Sequence, residues 1–194
     1  MIIWLNGAFG AGKTQTAYEL QRRLPGSYVY DPENAGFFIR RNLPSALNKP
    51  DFQDYPTWRT INYDMLDYIC GTYAGDIIVP MTITNREYYD QIVGALAKKY
   101  ALTHLILSAS REVLLQRLAS RFESKHSWGA QQIERCLQAF DRDITAHKID
   151  TDHLTIPQVA EQVAAVASLT LAENRHGHIR QTLDRIVVQC KHIR

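Results

Sequence analysis

The spacing of apolar residues predicts short buried strands that alternate with longer amphipathic helices. Short runs that favour strands occur at residues 2–5, 27–30, 76–80, 103–107 and 153–156. Apolar residues three and four apart, typical of helices with one buried face, recur at residues 13–24, 57–70, 85–99, 111–122, 130–140 and 159–169. Because strand–helix alternation is typical of a mainly parallel sheet covered by helices on both faces, the predicted fold class is α/β with three layers.

Composition and cysteine usage indicate the cellular setting. Apolar residues make up 45% and charged residues 22% of the 194 positions, which is ordinary for a globular domain. Cys70, Cys136 and Cys190 lie far apart without metal-binding spacing, which favours a reducing compartment. Neither a secretory signal nor a run of about 18 apolar residues is present. We therefore expect a cytoplasmic protein, with peripheral contact to the inner face of the cell membrane as an open alternative.

A phosphate-binding loop directly follows the first predicted strand. Residues 7–14 match the pattern G-x-x-x-x-G-K-[ST], with a helical pattern directly behind them. We expect ATP to be held by Gly7, Ala8, Phe9, Gly10, Ala11, Gly12, Lys13, Thr14 and Gln15. Lys13 is positioned to contact the β- and γ-phosphates, and the Thr14 hydroxyl to ligate Mg²⁺. The motif therefore predicts a P-loop NTPase-type domain with ATP and Mg²⁺ as cofactors, but it does not name the reaction.

Asp31 is the main acidic candidate of the sequence. It follows the second predicted strand, and the carboxyl ends of parallel strands line the ligand crevice of such a sheet. There its carboxylate would contact the substrate and accept the proton of an attacking hydroxyl, or hold Mg²⁺ through water. Because Pro32 follows, Asp31 is equally suited to start a helix as its cap. The two roles are compatible. No acidic residue directly follows the third strand, so Asp31 has no obvious competitor.

Two arginines and an aromatic segment supply the remaining candidates. Arg117 and Arg121 are four residues apart on one predicted helix, where they would neutralise charge on a transferring phosphoryl group or form a solvated basic face. Trp58 and Arg59 lie in a polar, aromatic-rich stretch between two helices. Trp58 would stack on a base or sugar of the substrate, or be buried in the core, and Arg59 would hold an anionic group.

The last 22 residues form a basic segment. Residues 173–194 carry a net charge of +3, whereas the whole chain carries +2. Apolar residues recur at helical spacing within this segment, so it predicts a C-terminal amphipathic helix. Such a helix either lies in a membrane interface or packs on the domain with a basic outer face. Nucleic-acid binding is not expected, because basic and aromatic residues are not interleaved. We expect a P-loop kinase-like domain over 1–172 and a basic tail over 173–194.

Several segments of the chain resemble the bacterial tunicamycin-resistance protein family. The segments are MIIWLNGAFGAGKTQTAYELQRRLPGSYVYDPENAGF at the start, DFQDYPTWR, IIVPMTI, SWGAQQIERC and the closing KHIR. The resemblance implies an ATP-binding protein, with Lys13 as the required lysine, that protects against a uracil-containing nucleoside antibiotic. It also implies membrane association through the C-terminal segment. More distantly, the layout is similar to small P-loop kinases of nucleosides and antibiotics, whose carboxylate base and lid arginine match Asp31 and Arg117 or Arg121 by position.

These observations lead to one hypothesis and two alternatives. The hypothesis is phosphoryl transfer from Mg·ATP to a hydroxyl of tunicamycin or a related uridine-like nucleoside. Lys13 and Mg²⁺ would stabilise charge, Asp31 would take the proton, and Arg117 or Arg121 would clamp the transferring group. The first alternative is a protein that sequesters tunicamycin at the membrane in an ATP-dependent way without modifying it. The second is an NTPase whose partner is another protein.

Overall fold

A single parallel sheet organises the computed structural model, which describes residues 1–120 and 127–174. Its strands run in the order β2-β3-β1-β4-β5. Their bounds are β1 Ile2–Gly7, β2 Tyr28–Val29, β3 Ile77–Pro80, β4 Leu102–Ser108 and β5 His147–Asp150. Every neighbouring pair is parallel. The carboxyl ends of all five strands therefore lie at one edge of the sheet, where parallel α/β folds bind their ligands.

Helices connect the strands. They are α1 Lys13–Arg23, α2 Glu33–Asn42, α3 Pro56–Thr72, α4 Arg86–Tyr89, α5 Ala95–Ala97, α6 Arg111–Ala119, α7 Trp128–Gln131, α8 Ile133–Arg142 and α9 Ile156–Val166. A π-helical turn at Asp90–Gly94 joins α4 to α5, and 3₁₀ turns occur at Ser45–Leu47 and Phe52–Asp54. No helix in the described part of the chain is both long and apolar enough to cross a membrane.

The alternation of β1 side chains separates two apolar cores. Ile3 and Leu5 belong to the core that contains buried residues of α1 and α9. Ile2 and Trp4 belong to the other, with α3 and the helical segment that contains Leu96. Because successive strand residues point to opposite faces, a strand that is apolar at every position must be covered on both sides. The predicted three-layer α/β architecture is confirmed.

Among the strands of the described residues, the last is the one that the sequence placed wrongly. The strand predicted near 153–156 lies instead at β5, His147–Asp150, and Thr155 begins α9 with a capping box to Gln158. In β5 only Ile149 is buried, so this edge strand has almost no apolar pattern to detect. The run at 153–156 that suggested a strand contains instead the polar turn after β5 and the start of α9.

The final described residues return to the domain and pack on α1. Ala172 and Arg23 bond in both directions, from Ala172 N to Arg23 O and from Arg23 Nε to Ala172 O. Arg22 also donates to Asn174 Oδ1 at 2.8 Å. The chain therefore remains attached to the domain as far as Asn174. The predicted amphipathic helix falls on residues that lie outside the described ones, apart from Glu173 and Asn174, and the division at residue 172 stays a prediction.

Candidate functional site

The phosphate-binding loop connects β1 to α1, as its sequence predicts. Gly12 starts α1 with φ of +94°, a left-handed conformation that favours glycine. A Cβ on Gly7 would lie 2.5 Å from the carbonyl oxygen of Leu107 on β4, which is too close for any side chain. Both glycines are thus required by the path of the chain, and the loop is held tightly between two strands and a helix.

The inner surface of this loop carries positive charge. Lys13 Nζ donates to the carbonyl oxygens of Gly7 and Ala8, both at 3.0 Å, so the ammonium group lies across the loop. Among the described residues, no side chain caps the N-terminus of α1, and no acidic residue lies in its first turn. The partial positive charge of the helix end therefore adds to that of Lys13. A glycine cradle with this charge suits the triphosphate of a nucleotide.

The residues predicted to hold the nucleotide differ in their exposure to solvent. Buried positions are Gly7, Ala8, Gly10 and Ala11, and half-buried ones are Phe9, Gly12, Lys13, Thr14 and Gln15. Thr14 is the second residue of α1, where its hydroxyl would hold Mg²⁺ beside bound phosphates. The described residues contain no cluster of three or more His, Cys, Asp or Glu that would hold a metal on its own. The metal role of Thr14 therefore stays a prediction.

Asn6, which the sequence analysis did not single out, holds the base of the loop. Its side chain is fully buried, and Oδ1 accepts hydrogen bonds from the amides of Gly7 (3.0 Å) and Ile83 (2.9 Å). Its Nδ2 donates to the Ile83 carbonyl at 2.9 Å. Thr82 Oγ1 donates to the Gly7 carbonyl at 2.8 Å. Both peptide groups of Gly7 are therefore fixed to the segment that follows β3. The detectable signal was a polar residue inside an apolar strand.

His104 completes this buried network. Its Nε2 lies 3.4 Å from Asn6 Nδ2, and its Nδ1 lies 3.2 Å from the hydroxyl oxygen of Tyr89. Burial lowers the pKa of His104 to about 4. The ring is therefore neutral near pH 7, with Nε2 as the acceptor for Asn6 and the proton on Nδ1 directed to Tyr89.

Asp31 lies at the carboxyl end of β2 and shapes the start of α2. Its Oδ1 accepts a hydrogen bond from the amide of Glu33 at 3.0 Å. Because Pro32 occupies the cap position of α2, Asp31 stabilises the turn one residue before the cap that the sequence predicted it to be. Trp58 Nε1 donates to the Pro32 carbonyl at 3.0 Å and braces the same turn. Since β3 alone separates β2 from β1, the lateral distance to the P-loop strand is about 10 Å. The catalytic role of Asp31 stays a prediction.

Tyr30, next to Asp31, is held in the same region. Its hydroxyl donates to Asn62 Oδ1 at 2.9 Å. Burial, followed by the negative charge of Asp31, raises the pKa of Tyr30 well above its usual range. The Tyr30 hydroxyl therefore stays protonated and fixes the end of β2 to α3.

Trp58 and Arg59 are occupied by contacts within the protein. Trp58 is fully buried and packs on Phe52, with ring centroids 5.5 Å apart, so neither face is available to a base or sugar. The structure corrects the expectation of substrate stacking in favour of the core alternative. Arg59 lies over the Tyr88 ring at 4.2 Å and donates to the Gln53 carbonyl and to Gln91 Oε1. It fastens the turn before α3 to α4, and its anion-binding role stays a prediction.

Of the two arginine candidates, the structure describes only Arg117. Arg117 Nη1 donates to Thr151 Oγ1 at 2.9 Å, and Nη2 donates to the Thr151 carbonyl. Thr151 Oγ1 in turn donates to the Ser108 carbonyl at 3.0 Å. Arg117 thus lies at the carboxyl ends of β4 and β5, on the same sheet edge as the P-loop. Arg121 lies outside the described residues.

Two charged residues that the sequence analysis did not assign meet near the loop. Asp51 is buried, and its Oδ2 lies 3.3 Å from Arg135 Nη2 on α8. The Asp51 Oδ1 accepts from the amide of Gln53 at 3.0 Å, and Gln53 Nε2 donates to the Thr82 carbonyl at 3.0 Å. Both residues lie in segments that carry the family resemblance, which was the available signal.

The segment after residue 126 packs against the P-loop. The rings of Trp128 and Phe9 make an edge-to-face contact with centroids 5.1 Å apart. A Cβ added at Gly129 would lie 3.4 Å from Phe9, so α7 begins in direct contact with the loop. This contact places the start of α7 beside the phosphate cradle.

Comparison with known proteins agrees with this geometry. A family model described as an AAA domain matches residues 2–142. The chain is similar to the tunicamycin resistance protein of Deinococcus radiodurans, with 36% sequence identity over 89% of this chain and 98% of that one, and a TM-score of 0.76. No match was found among curated protein sequences.

Two kinases share the fold at lower identity. A sugar kinase from Janibacter sp. HTCC2649 is 19% identical, with a TM-score of 0.61 over 87% of this chain and 95% of that one. Shikimate kinase from Bacteroides thetaiotaomicron is 15% identical, with a TM-score of 0.57 over 87% of this chain and 99% of that one. Because the identities are low, these two likenesses concern the fold alone.

Proposed function

The chain belongs to the tunicamycin-resistance protein family and to the AAA domain family, and from this premise we propose that it transfers the γ-phosphoryl group of ATP to a hydroxyl of tunicamycin or a related uridine-like nucleoside. The observation that carries the proposal is the shared sheet edge. The charged P-loop follows β1 and Asp31 follows β2, so both lie at the carboxyl-end edge of the same sheet. A nucleotide cradle beside a carboxylate is the minimum that a small-molecule kinase needs.

Each residue then has a defined task. Mg·ATP supplies the phosphoryl group. Lys13 and the N-terminus of α1 bind the phosphates and stabilise the charge that develops on them, and the Thr14 hydroxyl holds the metal. Asp31 accepts the proton of the acceptor hydroxyl. A bond forms from that oxygen to the γ-phosphorus while the bond to the β–γ bridging oxygen breaks, and ADP leaves.

The arginines have the least direct support in this scheme. Arg117 is engaged with Thr151, so it would have to exchange that carbonyl for a phosphate oxygen in order to clamp the transferring group. Arg121 has the same proposed task. Either guanidinium would neutralise charge on the phosphoryl oxygens.

The C-terminal segment has a separate proposed role. We propose that residues 1–172 form the kinase-like domain and that 173–194 attach it peripherally to the inner face of the cell membrane. The support is the net charge of +3 in that segment together with its apolar residues at helical spacing. The described contacts of Ala172 and Asn174 with α1 place the start of this segment on the domain surface.

Mass spectrometry separates phosphoryl transfer from simple sequestration. The protein is incubated with Mg·ATP and a tenfold molar excess of tunicamycin. Phosphoryl transfer converts the whole excess to a product heavier by one phosphoryl group, with one ADP formed for each drug molecule. A sequestering protein leaves the mass of the drug unchanged and protects no more than its own molar amount. An unchanged mass in the presence of bound ATP would reject the proposal.

A further inference from the structure

A polar cavity of about 440 Å³ lies between the start of α4 and helix α8. Its lining residues are Thr84, Asn85, Arg135, Gln138, Ala139 and Asp143. The wall formed by Thr84 continues from Thr82 and Ile83, which are bonded to Gly7 and Asn6. The cavity is therefore fixed to the base of the phosphate cradle. Its volume is within the range of small-molecule sites, about 300–1,000 Å³.

A buried carboxylate positions the arginine of this cavity. Asp51 is held by the amide of Gln53 and faces Arg135 at 3.3 Å, while the Arg135 side chain remains 46% exposed. The backbone contact and the burial allow the carboxylate little freedom. A guanidinium has five N–H donors, and this ion pair engages it through Nη2. Asp51 therefore orients Arg135 in the wall of the cavity.

The buried thiol of Cys136 on α8 connects the ion pair to the surroundings of the P-loop. Cys136 follows Arg135 on α8 and is fully buried. Burial raises the pKa of the Cys136 thiol, the charges of Lys13 and Arg135 oppose that rise, and the Asp51 carboxylate adds to it. Cys136 is buried in the same apolar core against which Phe9 of the P-loop packs. Helix α8 therefore borders the core beneath the P-loop as well as the cavity.

The lining favours an uncharged ligand with several hydrogen-bonding groups. Asn85 uses its Oδ1 to cap α4, and Gln138 uses its Nε2 on Glu134. The two amides therefore offer a ligand a donor from Asn85 and an acceptor from Gln138. This pair complements the carbonyl and N–H groups of a pyrimidine base. Asp51 balances the charge of Arg135, and Asp143 adds a carboxylate to the lining, so the cavity does not select for an anion.

We propose that this cavity binds the nucleoside part of the phosphoryl acceptor, with Arg135 as a binding residue and Asp51 as the residue that positions it. The proposal rests on the proposed kinase function, because it names the acceptor site of that reaction. It places the acceptor between the start of α4 and helix α8, a position that no sequence motif indicates.

The test compares two arginines of the same helix. Arg135→Met removes the proposed contact, and Arg142→Met makes the same change at an exposed position that does not line this cavity. Binding of uridine and of tunicamycin is measured by calorimetry, and phosphorylation is followed with the acceptor varied. We expect Arg135→Met to weaken acceptor binding and raise the acceptor KM by about 10–100-fold, as expected when a charge-assisted hydrogen bond is lost. ATP affinity should stay within about twofold, and Arg142→Met should match wild type.

Two further variants keep the test decisive. If Arg135→Met fails to fold because Asp51 is left unpaired, Arg135→Lys retains the charge and should still raise the acceptor KM. Asp51→Asn should raise KM more than it lowers kcat, as expected for a positioning residue. Wild-type acceptor affinity in folded Arg135→Met, or in Arg135→Lys, would overturn this inference. A wild-type protein that phosphorylates nothing would overturn the proposed function instead, so the two failures are distinguishable.

Discussion

The donor side and the acceptor side of the site are built in opposite ways. The donor side is one continuous loop, Gly7–Thr14, fixed at its base by Asn6 and Thr82. The acceptor side that we propose would take Asp31 from β2, Asp51 from the turn before α3, and Arg135 from α8, which is 84 positions from Asp51. A site for a common cofactor can therefore be a local motif, whereas a site for a particular substrate is assembled by the fold. The following experiments test how far the two sides are independent.

The largest loss of activity is expected when Lys13 is removed from the donor side. Lys13→Ala deletes the ammonium group that lies across the loop. Loss of one donor to the transition state costs about 10²–10³ in rate, and loss of a charge-assisted hydrogen bond weakens binding further, so kcat/KM for ATP should fall by on the order of 10⁴. Nucleotide affinity, kinetics and circular dichroism measure the effect, with exposed Lys98→Ala as the matched control. Unchanged ATP affinity in a folded variant would contradict the P-loop assignment.

Asp31→Asn should separate chemistry from ATP binding. Asn keeps the oxygen that accepts from the Glu33 amide, so the start of α2 is preserved. Loss of a general base costs on the order of 10²–10⁴ in kcat, whereas ATP affinity should change little. Single-turnover phosphorylation with ATP binding alongside provides the measurement. Wild-type turnover would leave Asp31 with its structural role alone.

The hydrogen bonds of Asn6, which connect the P-loop to the segment after β3, should contribute to the stability of the fold. Asn6→Leu keeps the volume but leaves the amides of Gly7 and Ile83 and the Ile83 carbonyl without their partner. Since each unsatisfied buried group costs about 1–3 kcal/mol, the free energy of unfolding should fall by roughly 3 kcal/mol or more. Thr82→Val is the milder control, with about 1 kcal/mol expected, because the Gly7 carbonyl also accepts from Lys13. Urea unfolding compares them, and equal losses would show that Asn6 has no special role.

The same network predicts a dependence of stability on pH. The pKa of His104 is lowered by burial from 6.5 to about 4, so between these values the unfolded chain binds a proton that the folded chain does not. Stability should be complete above pH 6.5 and fall as the pH decreases towards 4, by up to roughly 3 kcal/mol from this group. His104→Gln removes the titrating ring. The difference in unfolding free energy between variant and wild type should therefore change with pH over this interval, and a constant difference would count against the assignment.

The tail should have the smallest effect on either side of the site. A chain that ends at Asn174 keeps the contacts with Arg22 and Arg23 but loses all five Lys and Arg side chains of the segment. Each Lys or Arg near an anionic surface contributes about 1 kcal/mol, so this chain should no longer sediment with anionic vesicles. ATP affinity should be unchanged. Unfolding of the shortened chain would mean that the segment packs on the domain, and full-length protein that ignores vesicles at low salt would exclude the membrane role.

The sequence by itself determined the strand–helix alternation, the position of the P-loop and the helix start at Asp31–Pro32. These features depend on residues that are neighbours along the chain, because strand and helix periods, glycine turns and caps are local properties. Asp31 could be placed at a strand end for the same reason. The one misplaced strand, β5, is an edge strand with a single buried residue, so its pattern was too weak to detect.

Tertiary structure decided which side chains face the crevice. The sequence around Trp58 is compatible with a residue that stacks on the substrate as well as with a core residue. Only the packing of α3 on the sheet buries the Trp58 side chain. Asp51 and Arg135 meet because parallel strands require long crossovers, which bring distant segments to the same sheet edge. The network of Asn6 with Ile83 and His104 arises in the same way, across three neighbouring strands. Contacts of this kind depend on strand order, which no local pattern of residues contains.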